Sequence, residues 1–228
     1  MKKLLLAVCI AASIPTFAQR TYVQGGVNLA NITKTNSGET EDNNLLPSFN
    51  VGIMHRFGLS PVLDLESGLL FTGHGSKADT YFNNGNDYVK TRFHPLYFEV
   101  PLNILLKFPL APSTNIFVNA GPYAAIGVAG KSKRESRILG ITSSSESNIK
   151  FSNDDPFTSE QDDAAYDKLK RFDFGLNFGT GVSFRQVILK VNYGLGLTKI
   201  NSTESNNNAD DKNKYRTLSF SVGIPIGK

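Results

Sequence analysis

A chain of 228 residues with one cysteine and a formal net charge of +4 lacks the thiols for a disulfide framework or a thiolate metal site. It also lacks the basic stripe that nucleic-acid binding needs. After the first residues no apolar run approaches the ~20 residues of a membrane-spanning helix, which excludes a helical membrane protein, and the length suits one domain.

Met1-Lys2-Lys3 leads into an apolar run from Leu4 to Ile14 and then Thr16-Phe17-Ala18. A basic start, a short apolar core and small residues before a break describe a secretory signal peptide. Cleavage is expected after Ala18, which makes residues 1–18 a leader and residues 19–228 the mature domain. Cys9 follows Val8 early in the apolar run, a poor context for lipidation, and is lost with the leader. Losing Lys2 and Lys3 takes the net charge from +4 to +2.

From there the chain alternates. The first predicted strand is 22–31, with Val23, Val27 and Leu29 on one face and Gln24, Gly26 and Asn28 on the other. A polar loop, 33–47, precedes a second strand at about 48–57, where Phe49, Val51, Ile53 and Phe57 alternate with Asn50, Gly52 and Arg56. Gly58-Leu59-Ser60-Pro61 is a tight turn. The third strand runs to about Gly73, with Leu63, Leu65, Leu69 and Phe71 opposite Asp64, Glu66 and Gly68. Residues 76–87 read as a second polar loop. The fourth strand, about 91–108, carries an unbroken apolar face from Leu96 through Leu102 to Phe108, opposite Tyr97, Glu99, Asn103 and Lys107.

A short turn leads to the fifth strand, 115–128, and residues 131–170 read as a long polar connection with a helical turn or two at 164–171. Then comes the clearest signal. Phe172, Phe174, Leu176 and Phe178 alternate with Asp173, Gly175, Asn177 and Gly179. After Arg185-Gln186, Val187, Leu189, Val191 and Tyr193 alternate with Lys190, Asn192 and Gly194. Period 2 on both sides of a tight break is a β-hairpin. After an Asn-rich loop at 201–213, an eighth strand carries Leu218, Phe220, Val222 and Ile224 opposite Ser219, Ser221 and Gly223.

Eight strands joined by alternately long and short connections predict an all-β, eight-stranded antiparallel up-and-down transmembrane barrel. Its long loops are extracellular, its short turns periplasmic, and it sits in the outer membrane. The rival is a secreted soluble β-barrel. Its polar face would meet water and be rich in Lys and Glu. Here that face is mainly Gly, Ser, Asn and Thr, which suits a narrow lumen filled by side chains. Leu102, Phe174, Leu189, Val191 and Phe220 are expected to face lipid. Pro95, Pro101, Pro122 and Pro225 fall inside strands, where proline removes a ladder donor; bulges are expected at Pro95 and Pro101.

Tyr97-Phe98-Glu99-Val100-Pro101-Leu102, Gly121-Pro122-Tyr123, Phe172-Asp173-Phe174-Gly175 with Gly179-Thr180-Gly181, and Tyr193-Gly194-Leu195-Gly196-Leu197 together resemble the PorT-like family of outer-membrane β-barrel proteins. The resemblance spans nearly the whole mature chain. It implies an eight-stranded barrel in the outer membrane of a Gram-negative cell. Most members have no assigned task, and the founding member is linked to protein secretion. This chain departs from the pattern at Ile226-Gly227-Lys228, which lacks the terminal aromatic that barrel-assembly machinery commonly reads.

Seven charges fall on the inward face: Arg56, Asp64, Glu66, Glu99, Lys107, Arg185 and Lys190. Unpaired buried charge is costly, so they should pair. The favoured reading is a salt-bridged plug, and the alternative is a gate or an ion path in a small channel or transporter. His74-Gly75-Ser76 places an imidazole and a hydroxyl two residues apart, similar to the His-x-Ser pair of lipid A deacylase barrels. A lipid A-modifying enzyme would need an acid to orient His74, and Glu99 is the one candidate. A polar rim is the favoured account, so no catalytic residue is assigned. The histidines share no metal-ligand spacing, and Asp154-Asp155 with Asp162-Asp163 do not fit a calcium loop. No cofactor or metal is expected. The expected partners are outer-membrane lipid and, through the outer loops, other cell-envelope proteins. The expected role is structural, binding or secretion-associated.

Overall fold

The computed structural model describes residues 20–33, 45–83, 86–152, 168–200 and 214–226. The expected leader, residues 34–44 of the first polar loop, the Asp154-Asp155 and Asp162-Asp163 pairs and the whole Asn-rich loop at 201–213 lie outside these residues. The strands are β1 (Arg20–Ile32), β2 (Leu46–Gly58), β3 (Leu63–Gly73), β4 (Ser76–Phe82), β5 (Asp87–Ala111), β6 (Thr114–Ile138), β7 (Ile141–Asn148), β8 (Lys150–Ser152), β9 (Lys168–Lys170), β10 (Phe172–Phe184), β11 (Val187–Gly196) and β12 (Tyr215–Ile226).

Eight of these strands form a ring. The antiparallel ladders run β1–β2, β2–β3, β3–β5, β5–β6, β6–β10, β10–β11, β11–β12 and β12–β1. The last ladder pairs Val27 with Phe220 and closes the barrel without an edge. Closure is what a sheet in hydrocarbon requires, because no water is present to satisfy a free edge. Short turns at 59–62, 112–113 and 185–186 lie at one end.

Period 2 sorts the wall as predicted. On β5, Phe98, Val100, Leu102, Ile104, Leu106 and Phe108 point outward and are exposed, while Tyr97, Glu99, Asn103 and Leu105 are buried inside. Leu189, Val191 and Phe220 point outward in the same way; Phe174 lies on the outward face of β10 and is half-buried. The inside is less uniformly small and polar than the sequence suggested. Tyr22, Met54, Leu70, Leu105, Phe117 and Ile188 form an apolar cluster within it. An eight-stranded barrel has a bore that side chains must fill, and Gly, Ser and Asn alone leave too little volume.

Two polar stretches expected as loops are sheet. β4 pairs with the first residues of β5, from Ser76–Phe93 to Phe82–Asp87. β6 continues past the apolar belt and turns at Leu139-Gly140 into β7, pairing Lys131 with Asn148 and Ile138 with Ile141. The result is a four-stranded extension, β4-β5-β6-β7, standing beyond the barrel at the end opposite the short turns. Both of its faces are polar, so no hydrophobic period marks its strands. Residues 168–170, expected as part of a helical turn, instead pair in parallel with β8, from Lys150–Lys168 to Ser152–Lys170.

The prolines are absorbed in two ways. A register shift between Leu96 and Tyr97 follows Pro95 and leaves one extra residue on β6. No bulge forms at Pro101. The β3–β5 register is the same on both sides of it, Ser67 facing Leu102 and Leu70 facing Glu99. The Ser67 hydroxyl donates to the Pro101 carbonyl at 2.8 Å, so the neighbouring strand still engages the residue whose backbone has no donor.

Candidate functional site in the barrel lumen

The lumen is filled in layers. Nearest the periplasmic turns, β2, β3 and β11 bring Arg56, Glu66 and Lys190 together. Arg56 Nε donates to Glu66 Oε2 at 2.7 Å, and Lys190 Nζ donates to Glu66 Oε1. Tyr22 Oη donates to Glu66 Oε2 at 2.7 Å. The Arg56 guanidinium also lies over the Phe117 ring at 4.4 Å and donates to Ser183 Oγ at 3.1 Å. Glu66 is fully enclosed, so its charge is stabilised only by these partners. Lys107 Nζ meets Asp64 Oδ1 at 2.5 Å lower in the wall.

Higher up, Asn177 Nδ2 donates to Glu99 Oε1 at 3.2 Å, and Tyr123 Oη donates to Asp173 Oδ2 at 2.9 Å. The Tyr97 and Tyr215 hydroxyls are 3.1 Å apart. His74 is buried between these two rings, with centroid distances of 5.1 and 5.0 Å. Its Nδ1 lies 3.3 Å from Thr217 Oγ1 and its Nε2 lies 3.8 Å from Glu99 Oε2. Above them Ile149, Leu169 and Ile200 turn inward onto Tyr97, Tyr123 and Tyr215. Phe151 packs edge-on to Tyr97 at 5.6 Å. Backbone bonds hold these segments to the barrel: Gly127 N–H donates to Arg171 O at 2.6 Å and Ile149 N–H to Gly130 O at 2.9 Å. Between the charged layer and this apolar cap remains a cavity of about 40 Å³, lined by Gln24, Asn50, His74, Glu99, Asn103 and Lys190 among others. That holds at most a few waters.

Six of the seven predicted inward charges are on the inner wall. Arg56, Glu66 and Lys190 form one cluster, Asp64 and Lys107 a second, and Glu99 joins His74 and Asn177 instead. Arg185 does not belong to any of these. It is exposed in the β10–β11 turn with φ 49°, its guanidinium 5.5 Å over the Phe184 ring. The turn takes it out of the alternation that the strand pattern assigned to it.

Glu99 lies near His74 but at 3.8 Å does not hydrogen-bond it, and a His-Ser pair does not assemble. Gly75, at φ 126°, ends the strand after His74 and Ser76 begins β4 opposite Phe93. His74 N–H donates to the Pro95 carbonyl at 3.0 Å, and its ring contacts are Thr217, Glu99 and the two tyrosines. Sequence reasoning put Tyr97 and Asp173 on the inward face without assigning them to the site, and it left out Tyr123 and Tyr215 as site residues. Parity was the available signal for Tyr97, Tyr123 and Asp173, whose neighbours are apolar and outward; Tyr215, between Lys214 and Arg216, carries no such signal.

The extracellular extension has its own electrostatics. Tyr88 Oη donates to Glu135 Oε1 at 2.7 Å, and this bond raises the phenol pKa because it favours the protonated form. Lys131 Nζ donates to Glu146 Oε1 at 2.6 Å and holds that carboxyl below its ordinary range.

A closed eight-strand ring with an apolar outer belt and a filled interior has one more finding beside it: residues 17–202 match the outer membrane protein beta-barrel domain family. The chain belongs to that family. It is an outer-membrane barrel, and its apolar belt and short-turn end are oriented accordingly. Among solved structures, the chain is similar to Ail, the attachment invasion locus protein of Yersinia pestis. Identity is 13%, the TM-score is 0.40, and the match covers 92% of this chain and 100% of that one. It is also similar to Neisserial surface protein A, at 14% identity and a TM-score of 0.42, covering 90% and 97%. No curated protein matches the chain.

Proposed function

We propose that this outer-membrane barrel is a closed scaffold of the PorT-like kind, exported on residues 1–18, with a structural, binding or secretion-associated role and neither pore nor catalytic activity. The observation that carries this is the filled lumen. Arg56, Glu66 and Lys190 cross it on the periplasmic side, and Tyr97, Tyr215 and Ile149 belong to an apolar cluster at the outer mouth. A cavity of about 40 Å³ between two such layers is no route for a hydrated ion. Leu102, Phe174, Leu189, Val191 and Phe220 contact lipid in this reading, supported by their outward facing. The extracellular sheet and loops are the surface offered to other cell-envelope components.

An acylating or deacylating enzyme gains no support. His74 is 3% exposed and enclosed by Tyr97 and Tyr215, out of reach of a lipid on the outer wall. The test of the scaffold reading is conductance. Purified protein in planar bilayers is expected to give no steady single-channel currents, and large steady openings would overturn the proposal.

A further inference from the structure

The outer wall does not end with the apolar belt. Along β5, the parity that turns Phe98 and Leu96 outward also turns out His94, Arg92, Lys90 and Tyr88. On β6 the register shift beside Leu96 changes the outward set from even to odd numbers, so Lys131, Lys133, Glu135 and Arg137 share that face. On β4 the same face carries Lys77 and Asp79, opposite Arg92 and Lys90. The extension thus continues the lipid-side wall of the barrel upward, as rows of charge.

One row is unusual. Lys77, Arg92 and Lys133 are directly opposite one another on three adjacent strands. Like charges in that position repel and destabilise a sheet. Glu146 ends the row opposite Lys133 and offsets part of that charge, but its hydrogen bond goes to Lys131, and Glu135 is bonded to Tyr88, so neither carboxylate reaches Arg92 or Lys77 with a bond. Arg92 and Lys133 have no hydrogen-bonded or ion-paired partner among the described residues, and both are exposed. With Lys90 and Glu135 they line a shallow recess. Arg92 stands four residues beyond Leu96, roughly 13 Å along the strand at ~3.3 Å per residue and roughly 10 Å in height at a ~40° tilt. With the hydrocarbon boundary taken at Leu96, where the apolar run of β5 ends, that is the level of lipid headgroups. Just below lies an open, mainly apolar concavity of about 420 Å³ between Leu96, Val128, Ala129 and Ile149, with His94 and Lys131 among its other lining residues.

We propose that this face holds a phosphorylated glycolipid of the outer leaflet, its phosphate on Arg92, Lys133 and Lys77 and an acyl chain in the concavity at Leu96 and Val128. The site combines two chemistries in the order a lipid presents them, charge above and hydrocarbon below, on the surface that faces the leaflet. An arginine fork beside a lysine is suited to phosphate. The anion would also remove the repulsion along the row. This rests on the reading that the outer wall meets lipid.

The experiment is native mass spectrometry of the refolded full mature chain in detergent. The added probes are diphosphoryl lipid A, its dephosphorylated form, a zwitterionic phospholipid, and dextran sulfate as a soluble polyanion. Diphosphoryl lipid A is expected to be retained selectively. R92Q/K133Q should reduce retention by about tenfold or more, as removal of charge-assisted contacts does. Arg185→Gln, at the opposite end, should leave retention unchanged. Heat-modifiable gel migration of every sample reads barrel closure separately. A protein that is not heat-modifiable would overturn the barrel in lipid itself. A closed barrel that retains the dephosphorylated form equally well, or whose retention survives R92Q/K133Q, overturns the headgroup site alone. Dextran sulfate bound as well as lipid A would assign the row to a soluble polyanion and overturn the lipid proposal.

Discussion

Glu66 and Lys190 lie 124 positions apart in the chain and form a buried ion pair across the lumen. With Arg56 on the second oxygen, one carboxylate holds two cations in a space that water does not reach. Removing that carboxylate leaves two buried positive charges facing each other. Glu66→Gln is expected to destabilise the barrel by about 3–5 kcal/mol. Replacing the whole cluster, with Arg56→Met, Glu66→Leu and Lys190→Met, should recover most of the loss, because apolar side chains of similar volume remove the uncompensated charge. Urea unfolding in lipid vesicles, followed by tyrosine fluorescence since the chain has no tryptophan, checks both.

Val191 and Asn192 are neighbours on opposite faces of β11. Val191 points outward and Asn192 is half-buried on the inner wall. Val191→Arg should cost about 2–4 kcal/mol near the midplane of a bilayer, whereas Asn192→Ser should be nearly neutral. Equal unfolding midpoints in vesicles would show that the facing of β11 is wrong.

Gly179 is one of three glycines on β10, with Gly175 and Gly181, where a Cβ would meet a neighbouring backbone oxygen. A Cβ at Gly179 would sit 1.7 Å from Asn192 Oδ1 and 2.6 Å from the Val191 carbonyl. Gly179→Ala is expected to cost about 1–3 kcal/mol, as overfilling a tight site does. Adding Asn192→Ser should restore only part of it, because the backbone oxygen stays in place. Full restoration by the second change would mean that the side chain alone sets the limit.

His74 is held by Tyr97, Tyr215 and Thr217, away from the outer wall. Lipid A acylation in cells overexpressing the protein should match that of cells carrying an empty vector, and His74→Ala should leave it unchanged. Altered acylation that disappears in His74→Ala would revive a catalytic role.

How much was readable in advance follows from how each strand is solvated. Where one face meets hydrocarbon and the other a narrow lumen, apolar and polar residues must alternate. The eight barrel strands were therefore legible to within a few residues at most ends. β4, β7 and the outer half of β6 were not, because strands with water on both sides carry no such alternation. The inward charges were legible as a set from parity. Arg185 was misplaced because a two-residue turn interrupts the count.

The sequence by itself determined that this chain is a barrel, which face of each strand points out, and that its inner wall carries charges of both signs. Period 2 is a local property, written residue by residue. The tertiary structure alone decided which charges meet, Glu66 with Lys190 and Arg56 and Asp64 with Lys107. Ring closure, ladder register and the shift beside Leu96 set those pairings and put Arg92 in a row with Lys133. Such relations depend on how strands far apart in the chain are staggered around the ring, and no single strand encodes that stagger.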